Sequence, residues 1–244
     1  MTQSIETSAA VAGRRGFLKT GAAAVAAFAA SGLLMPGKSL AVSPALTFAN
    51  VPGTGDVKVL NYALALESLE SDLYGQAWMR LTKGGTNLKG TKITGLNVDT
   101  DQPDVRYVIQ FLEIEKQHRN FIDTALGSAS LLRKAPFNKV RYDFGMQSKT
   151  RKQEMDIVYL AEQTGVGAYL GAIPFFTTRT YLQTAGAILG TEARHTAVIA
   201  DVLVDLFGES KTVAPLANSN AGRDVPISPD AVLAAVSPFI SFAS

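Results

Sequence analysis

The sequence predicts an all-α fold: a four-helix bundle made of two antiparallel hairpins joined by a long crossover, with a short further helix near the C-terminus. Three observations predict it. Four long segments repeat apolar residues at i, i+3, i+4 and i+7. Stretches carrying glycine and proline separate them. The two histidines of the 244-residue chain each stand three residues after a glutamate, inside an apolar stripe.

The first 41 residues are set apart from the fold. Arg14-Arg15-Gly-Phe17-Leu18-Lys19 is a paired-arginine motif, followed by an Ala-rich apolar run from about Gly21 to Met35 and the small-residue pattern Ser39-Leu40-Ala41. This predicts a twin-arginine export signal over residues 1–41, cut after Ala41, and a periplasmic or secreted destination. The run is shorter than the ~20 residues a spanning helix needs, so no membrane is expected for the mature form. Removing the segment takes four basic and one acidic residue and leaves the remainder near neutral, at −1. No cluster of Lys and Arg interleaved with aromatics appears, which argues against nucleic-acid binding. The absence of cysteine excludes disulfides, thiolate zinc sites and iron–sulfur clusters, so metal ligands must be histidine and carboxylate.

Residues 42–55 read as an extended leader. Asp56 is a plausible N-cap, and the first helix runs from there to about Leu81. It is apolar on two sides, through Leu60, Leu64, Tyr74 and Leu81 and through Leu66, Leu69 and Leu73, which predicts burial. Lys83 to Gln102, with Gly84, Gly85, Gly90 and Gly95, reads as a long loop, with room for a short hairpin, of the length that is often functional or mobile. Pro103 opens the second helix, ending near Leu126. Residues 127–147 read as irregular. The third helix spans about Thr150 to Ile173. Its Gly165, Gly167 and Gly171 weaken it and suggest close approach of another backbone. The fourth spans about Thr178 to Phe207, with Gly208 as its C-cap. A polar stretch follows, and Ser228-Pro229-Asp230 starts a short helix over Ala231–Val236 that should pack on the bundle. The domain reading is thus a bundle over 56–207 and a tail over 208–244.

The hairpins repeat each other chemically. The second and fourth helices carry Glu115-Lys-Gln-His118 and Glu192-Ala-Arg-His195, and three residues place both side chains of a pair on one face. Nine glutamates in the chain would precede both histidines at this spacing by chance in only ~0.1–0.2% of arrangements. The first helix carries Glu67 with Tyr74 seven residues on, and the third carries Glu162 with Tyr169 seven residues on. Glu70 is a rival to Glu67 on nearly the same face; the tyrosine match favours Glu67. Counted at ~1.5 Å per residue, the four carboxylates lie roughly 17–21 Å from what is expected to be one shared end of the bundle.

Four carboxylates at one level of an apolar core need compensating charge, because one unpaired buried charge costs several kcal/mol. Two divalent cations match Glu67, Glu115, Glu162 and Glu192, and neutral His118 and His195 complete the set. Oxygen-rich ligation with one imidazole per metal suits Fe or Mn better than structural zinc, and the set is that of di-iron and di-manganese bundles. Tyr74 and Tyr169 read as supporting or core residues, Trp78 as packing, and Glu113, Arg119 and Arg194 as surface.

With these residues in place, the segment 56–207 resembles the ferritin-like superfamily of bacterioferritins and rubrerythrins. Leu64-Ala-Leu-Glu67-Ser-Leu-Glu70, Glu162-Gln-Thr-Gly-Val-Gly-Ala-Tyr169 and Ser228-Pro-Asp-Ala-Val are similar to its exported branch, which includes desiccation-related proteins. The resemblance implies that Glu115 and Glu192 bridge two metals, that Glu67 and Glu162 are terminal ligands and that each histidine caps one metal. It also implies redox chemistry with O2 or hydrogen peroxide as partners, whether ferroxidase-, peroxidase- or catalase-like, with these six residues as the catalytic set. The alternative is a non-enzymatic stress or envelope protein on the same scaffold. A homo-oligomer, up to a hollow storage cage, is a further expectation, although the long loop at 83–102 departs from compact ferritins.

Overall fold

The computed structural model of the chain describes residues 46–211 and 222–243. The export signal, the first residues of the leader, and Asn218 and Asn220 of the tail lie outside these residues. Among the described residues are α1 (Gly55–Leu81), α2 (Pro103–Leu126), α3 (Arg151–Ala172), α4 (Arg179–Phe207) and α5 (Pro229–Val236), and none is long and apolar enough to cross a membrane. The fold is the expected helical bundle.

Local chemistry accounts for the helix ends. Pro103 stands at the first position of α2. Thr150 and Gln153 form a reciprocal capping box at the start of α3. Gly208, in the left-handed conformation at φ 66°, closes α4. Asp56 departs from expectation. It lies inside the first turn of α1, after Thr54. Its carboxylate instead accepts from Thr177 N at 2.7 Å, Thr177 Oγ1 at 2.9 Å and Thr178 N at 3.1 Å, tying down the start of α4.

α1 packs along α2 and α3 along α4, and the hairpins meet through α1 against α3 and α2 against α4. At one end Arg80, near the C-terminus of α1, donates to Lys149 O at 2.9 and 2.7 Å, just before α3 begins. Arg151 of α3 grips Asp104 of α2 through two bonds of 2.7 Å. α3 therefore starts where α1 stops and runs antiparallel to it. The expectation of one shared end is corrected accordingly: α3 finishes, and α4 begins, at the opposite end, which is why the crossover must be long. The four carboxylates still meet because each sits near the middle of its helix.

The loop at 83–102 is built, not loose. Strands β1 (Gly84–Thr86) and β2 (Lys92–Thr94) pair antiparallel with Gly85 opposite Ile93, and Ile93 is buried in the main core. Leu96 N donates to Arg80 O at 2.7 Å and Val98 N to Leu81 O at 2.8 Å, hooking the loop to the end of α1. A Cβ on Gly95 would meet Thr82 O at 2.0 Å, so only glycine permits that approach. The crossover contributes β3 (Val140–Tyr142), which pairs with β4 (Ile240–Phe242) of the tail. The tail also seats on α3: Ile227 N donates to Gly167 O at 2.8 Å, and a Cβ on Gly171 would stand 1.8 Å from Ile227 O. Gly167 and Gly171 thus make room for a strap, whereas Gly165 faces the side chains of Glu192 and Glu70.

Candidate metal centre

The centre lies between the four long helices. Glu67, Glu115, Glu162 and Glu192 are fully buried, and His195 is 3% exposed; the His118 side chain is 14% exposed. All six are brought to one place. Single ligand atoms of Glu67, Glu115, His118 and Glu192 lie within 4.8 Å of one another, as do those of Glu115, Glu162, Glu192 and His195. Glu115 and Glu192 belong to both groups, so the arrangement is two four-residue nests sharing two carboxylates. His118 Nδ1 is 3.1 Å from Glu115 Oε2, 3.3 Å from Glu67 Oε2 and 3.6 Å from Glu192 Oε1. His195 Nδ1 is 3.0 Å from Glu115 Oε1 and 3.3 Å from Glu162 Oε1.

The tyrosines cross between the hairpins. Tyr74 of α1 donates its hydroxyl to Glu162 Oε1 of α3, and Tyr169 of α3 donates to Glu67 Oε1 of α1. Antiparallel α1 and α3 explain this: each tyrosine stands two turns past its own glutamate and reaches the glutamate of the facing helix. One oxygen of each carboxylate is thereby held, and the other is left for something else. Phe111 stacks on His195 with ring centroids 3.8 Å apart, fixing the imidazole plane.

Many buried polar atoms here have no hydrogen-bond partner: Glu67 Oε2, Glu115 Oε1, Glu162 Oε2, both oxygens of Glu192 and both ring nitrogens of His195. His195 Nδ1 is close to carboxylates but not in hydrogen-bonding direction. Buried polar groups are ordinarily satisfied, and orphaned oxygens and nitrogens converging on common points are what cation binding requires. The donor set fits a pair of divalent ions.

The electrostatics support this fit. Burial raises Glu67 to about 7, against the pull of His118, raises Glu162 and holds Glu192 well above the ordinary carboxylate range. Burial also works against ionised Glu115, but the adjoining imidazoles His118 and His195 outweigh it and bring this carboxyl down to about 2. Burial disfavours both imidazolium ions, and the carboxylates around them prevail, raising His118 to about 10 and His195 to about 9. The raised imidazoles favour protons at these positions, and a divalent metal bound there would have to displace them.

Glu70, the rival of Glu67 on nearly the same face, is also inside. Glu70 is 4% exposed, its Oε2 has no partner, and burial followed by the charge of Glu67 raises it well above the ordinary range. Its three-residue spacing from Glu67 was the available signal. Among the residues read as peripheral, Glu113 is exposed and pairs with Lys116 at 2.8 Å, Arg194 is exposed and bonded to Thr191, and Trp78 packs at the edge of the core.

The model of the ferritin-like domain family matches residues 55–205, from the start of α1 to two residues before the end of α4. The chain belongs to the ferritin-like family. No curated protein and no solved structure matches it significantly. Within this ferritin-like protein, the family match and the Glu/His convergence together support divalent-metal binding.

Proposed function

We propose that this ferritin-like protein carries a dinuclear iron or manganese centre that reacts with O2 or hydrogen peroxide, and that it does so outside the cytoplasm after twin-arginine export. One observation carries the proposal: two four-residue nests of Glu and His share Glu115 and Glu192 at the middle of the bundle. Glu67 and His118 would serve one ion, Glu162 and His195 the other, with Glu115 and Glu192 spanning both. When bound, the ions supply the electrons that a small oxidant accepts. The surrounding residues do the rest. Tyr74 and Tyr169 fix the terminal carboxylates and hold a proton beside each. Phe111 orients His195. Burial of the four carboxylates keeps bulk water away from them.

Elemental analysis of the exported, folded protein tests the centre. About two ions of iron or manganese per chain is the expected result, with consumption of hydrogen peroxide or O2 by the loaded protein. Metal-free protein from metal-replete cells would overturn the reading. Two ions per chain without oxidant consumption would favour a structural role for the metal. Changing Arg14 and Arg15 to Lys should retain the protein in the cytoplasm; unchanged export would remove the proposed route.

A further inference from the structure

Each of the two crossing tyrosines is backed by chain from outside the four long helices. Residues two before and two after a helical position lie about 200° round the axis, on the face opposite it. For Tyr74 those residues are Asp72 and Gln76; for Tyr169 they are Gly167 and Gly171. Behind Tyr74 the clasp is polar. Gln76 donates to Asp72 Oδ1 and, at 3.1 Å, to Tyr142 O of the crossover, and Asn87 of the 83–102 loop donates to Gln76 Oε1 at 3.3 Å. Behind Tyr169 the two positions carry no side chain, and the tail lies in the space. A Cβ on Gly167 would stand 2.5 Å from Cγ1 and Cδ1 of Ile227, and one on Gly171 would stand 1.8 Å from Ile227 O. Ile227 thus takes the place of one missing side chain with its own, and of the other with its carbonyl.

Helix strength gives that contact a use. Gly165, Gly167 and Gly171 put three glycines within seven residues of α3, and glycine loosens a helix interior. Tyr169 stands inside this stretch, yet its hydroxyl is held to Glu67 Oε1 of the facing helix. A splint from behind supplies the rigidity that the helix lacks, and the strap is anchored well enough to be one. Ile227 is buried and donates its N–H to Gly167 O. Just beyond it, Asp230 Oδ1 accepts from Phe48 N at 2.7 Å, and β4 pairs with β3. We infer that Ile227 is a positioning residue for the metal centre: it holds α3 so that Tyr169 keeps the Glu67 carboxylate in place for the ion of Glu67 and His118. This role rests on the dinuclear reading above. The two ions are then steadied by unrelated parts of the chain, the tail behind one and the 83–102 loop with the crossover behind the other.

The test places Ile227→Ala in the full exported chain in three backgrounds: wild type, Tyr169→Phe and Tyr74→Phe. Manganous ion is titrated into each metal-free protein by calorimetry. In the wild-type and Tyr74→Phe backgrounds, Ile227→Ala should weaken one of the two ions by roughly tenfold, the scale on which one supporting contact tunes a metal site. In the Tyr169→Phe background it should add nothing, because residues that act through one another are not additive. Ile227→Val keeps most of the filling side chain and should restore most of the affinity. Without metal, the amides of residues 165–172 should exchange with deuterium faster in the Ala variant, while those of 69–76 keep their rates. An equal loss in the Tyr169→Phe background, or no loss in any background, overturns the role of Ile227 while leaving the dinuclear centre standing. A wild type that binds no metal overturns both. An Ala variant that does not fold, as judged by circular dichroism, leaves the Val variant to decide through a smaller loss with the same dependence on Tyr169.

Discussion

The two hairpins hold the same chemistry in unequal surroundings. In the α3–α4 half, His195 is 3% exposed and stacked on Phe111. In the α1–α2 half, the His118 side chain is 14% exposed at the edge of the centre. One imidazole is locked and the other has a view of water. The difference teaches that a near-symmetric ligand set need not be held symmetrically: the α3–α4 half is the anchor, and His118 marks the edge nearer solvent.

The harshest way to break the comparison removes both imidazoles. The double change His118→Ala with His195→Ala should reduce bound metal from about two ions per chain to background and abolish oxidant consumption. This exceeds the roughly 10–100-fold affinity loss that follows removal of an outer partner alone. The single changes separate the halves. His195→Ala opens a hole beside Phe111 and should lower metal-free stability by about 2–3 kcal/mol, whereas His118→Ala should cost about 1 kcal/mol or less. Equal losses in thermal melting would contradict the anchor-and-edge description.

A second difference lies eight residues before each terminal glutamate, where α1 has Val59 and α3 has Glu154. Glu154 is fully buried with neither oxygen partnered. Burial, against the distant pull of Arg80, raises it to about 9. It has no imidazole beside it to keep it charged, in contrast to Glu115. Its folded pKa lies above the ordinary 4.5, so the folded state holds a proton that the unfolded chain gives up. Its contribution to stability is therefore fully present below about pH 4.5 and declines as pH rises toward 9, at ~1.4 kcal/mol per pH unit. Glu154→Gln should flatten the fall in melting temperature between pH 5 and pH 9. A variant that parallels the wild type across that range would show that Glu154 is ionised in the fold.

Gly165→Ala presses on the centre from the side that is open only in α3. Its Cβ would crowd Glu192 and Glu70, and overpacking of this kind costs about 1–3 kcal/mol. Because the atoms displaced are carboxylates of the centre, metal affinity should fall further than melting temperature does. The reverse order would mean that the gap serves packing alone.

Much of this architecture was legible in the sequence, for reasons that are local. Pro103, Thr150 with Gln153, and Gly208 punctuate the helices by chemistry acting over a few residues, so the boundaries fell within a residue or so of expectation. The two Glu-x-x-His pairs were visible because helical periodicity puts three-residue neighbours on one face. What escaped was non-local. Periodicity says which residues share a face but not which way a helix runs, so the opposed directions of α1 and α3, set by Arg80 and Arg151 gripping across the bundle end, did not show. The pairing of Val140–Tyr142 with Ile240–Phe242 joins distant stretches with no local mark. Asp56 looked like a cap for its own helix and instead serves the start of α4. A helix apolar on two sides gives no clue to which polar residues it also buries, so the burial of Glu70 alongside Glu67 did not show.

The finest test uses the one feature in which the halves agree. Tyr74 and Tyr169 are both buried, and each gives its hydroxyl proton to the terminal glutamate of the opposite hairpin. Phenylalanine at either position keeps the ring and removes only that donor. The carboxylate oxygen left behind is buried without a partner, which costs about 1–2 kcal/mol. It also frees the carboxylate to rotate, so metal affinity should drop by roughly tenfold. Because the crossing follows from antiparallel α1 and α3, Tyr74→Phe should weaken the ion held by Glu162 and His195, and Tyr169→Phe the ion held by Glu67 and His118. Each variant should thus lose first the ion of the hairpin that did not carry the mutation. Loss from the same hairpin would mean that each tyrosine serves its own helix, and the antiparallel geometry of the centre would have to be redrawn.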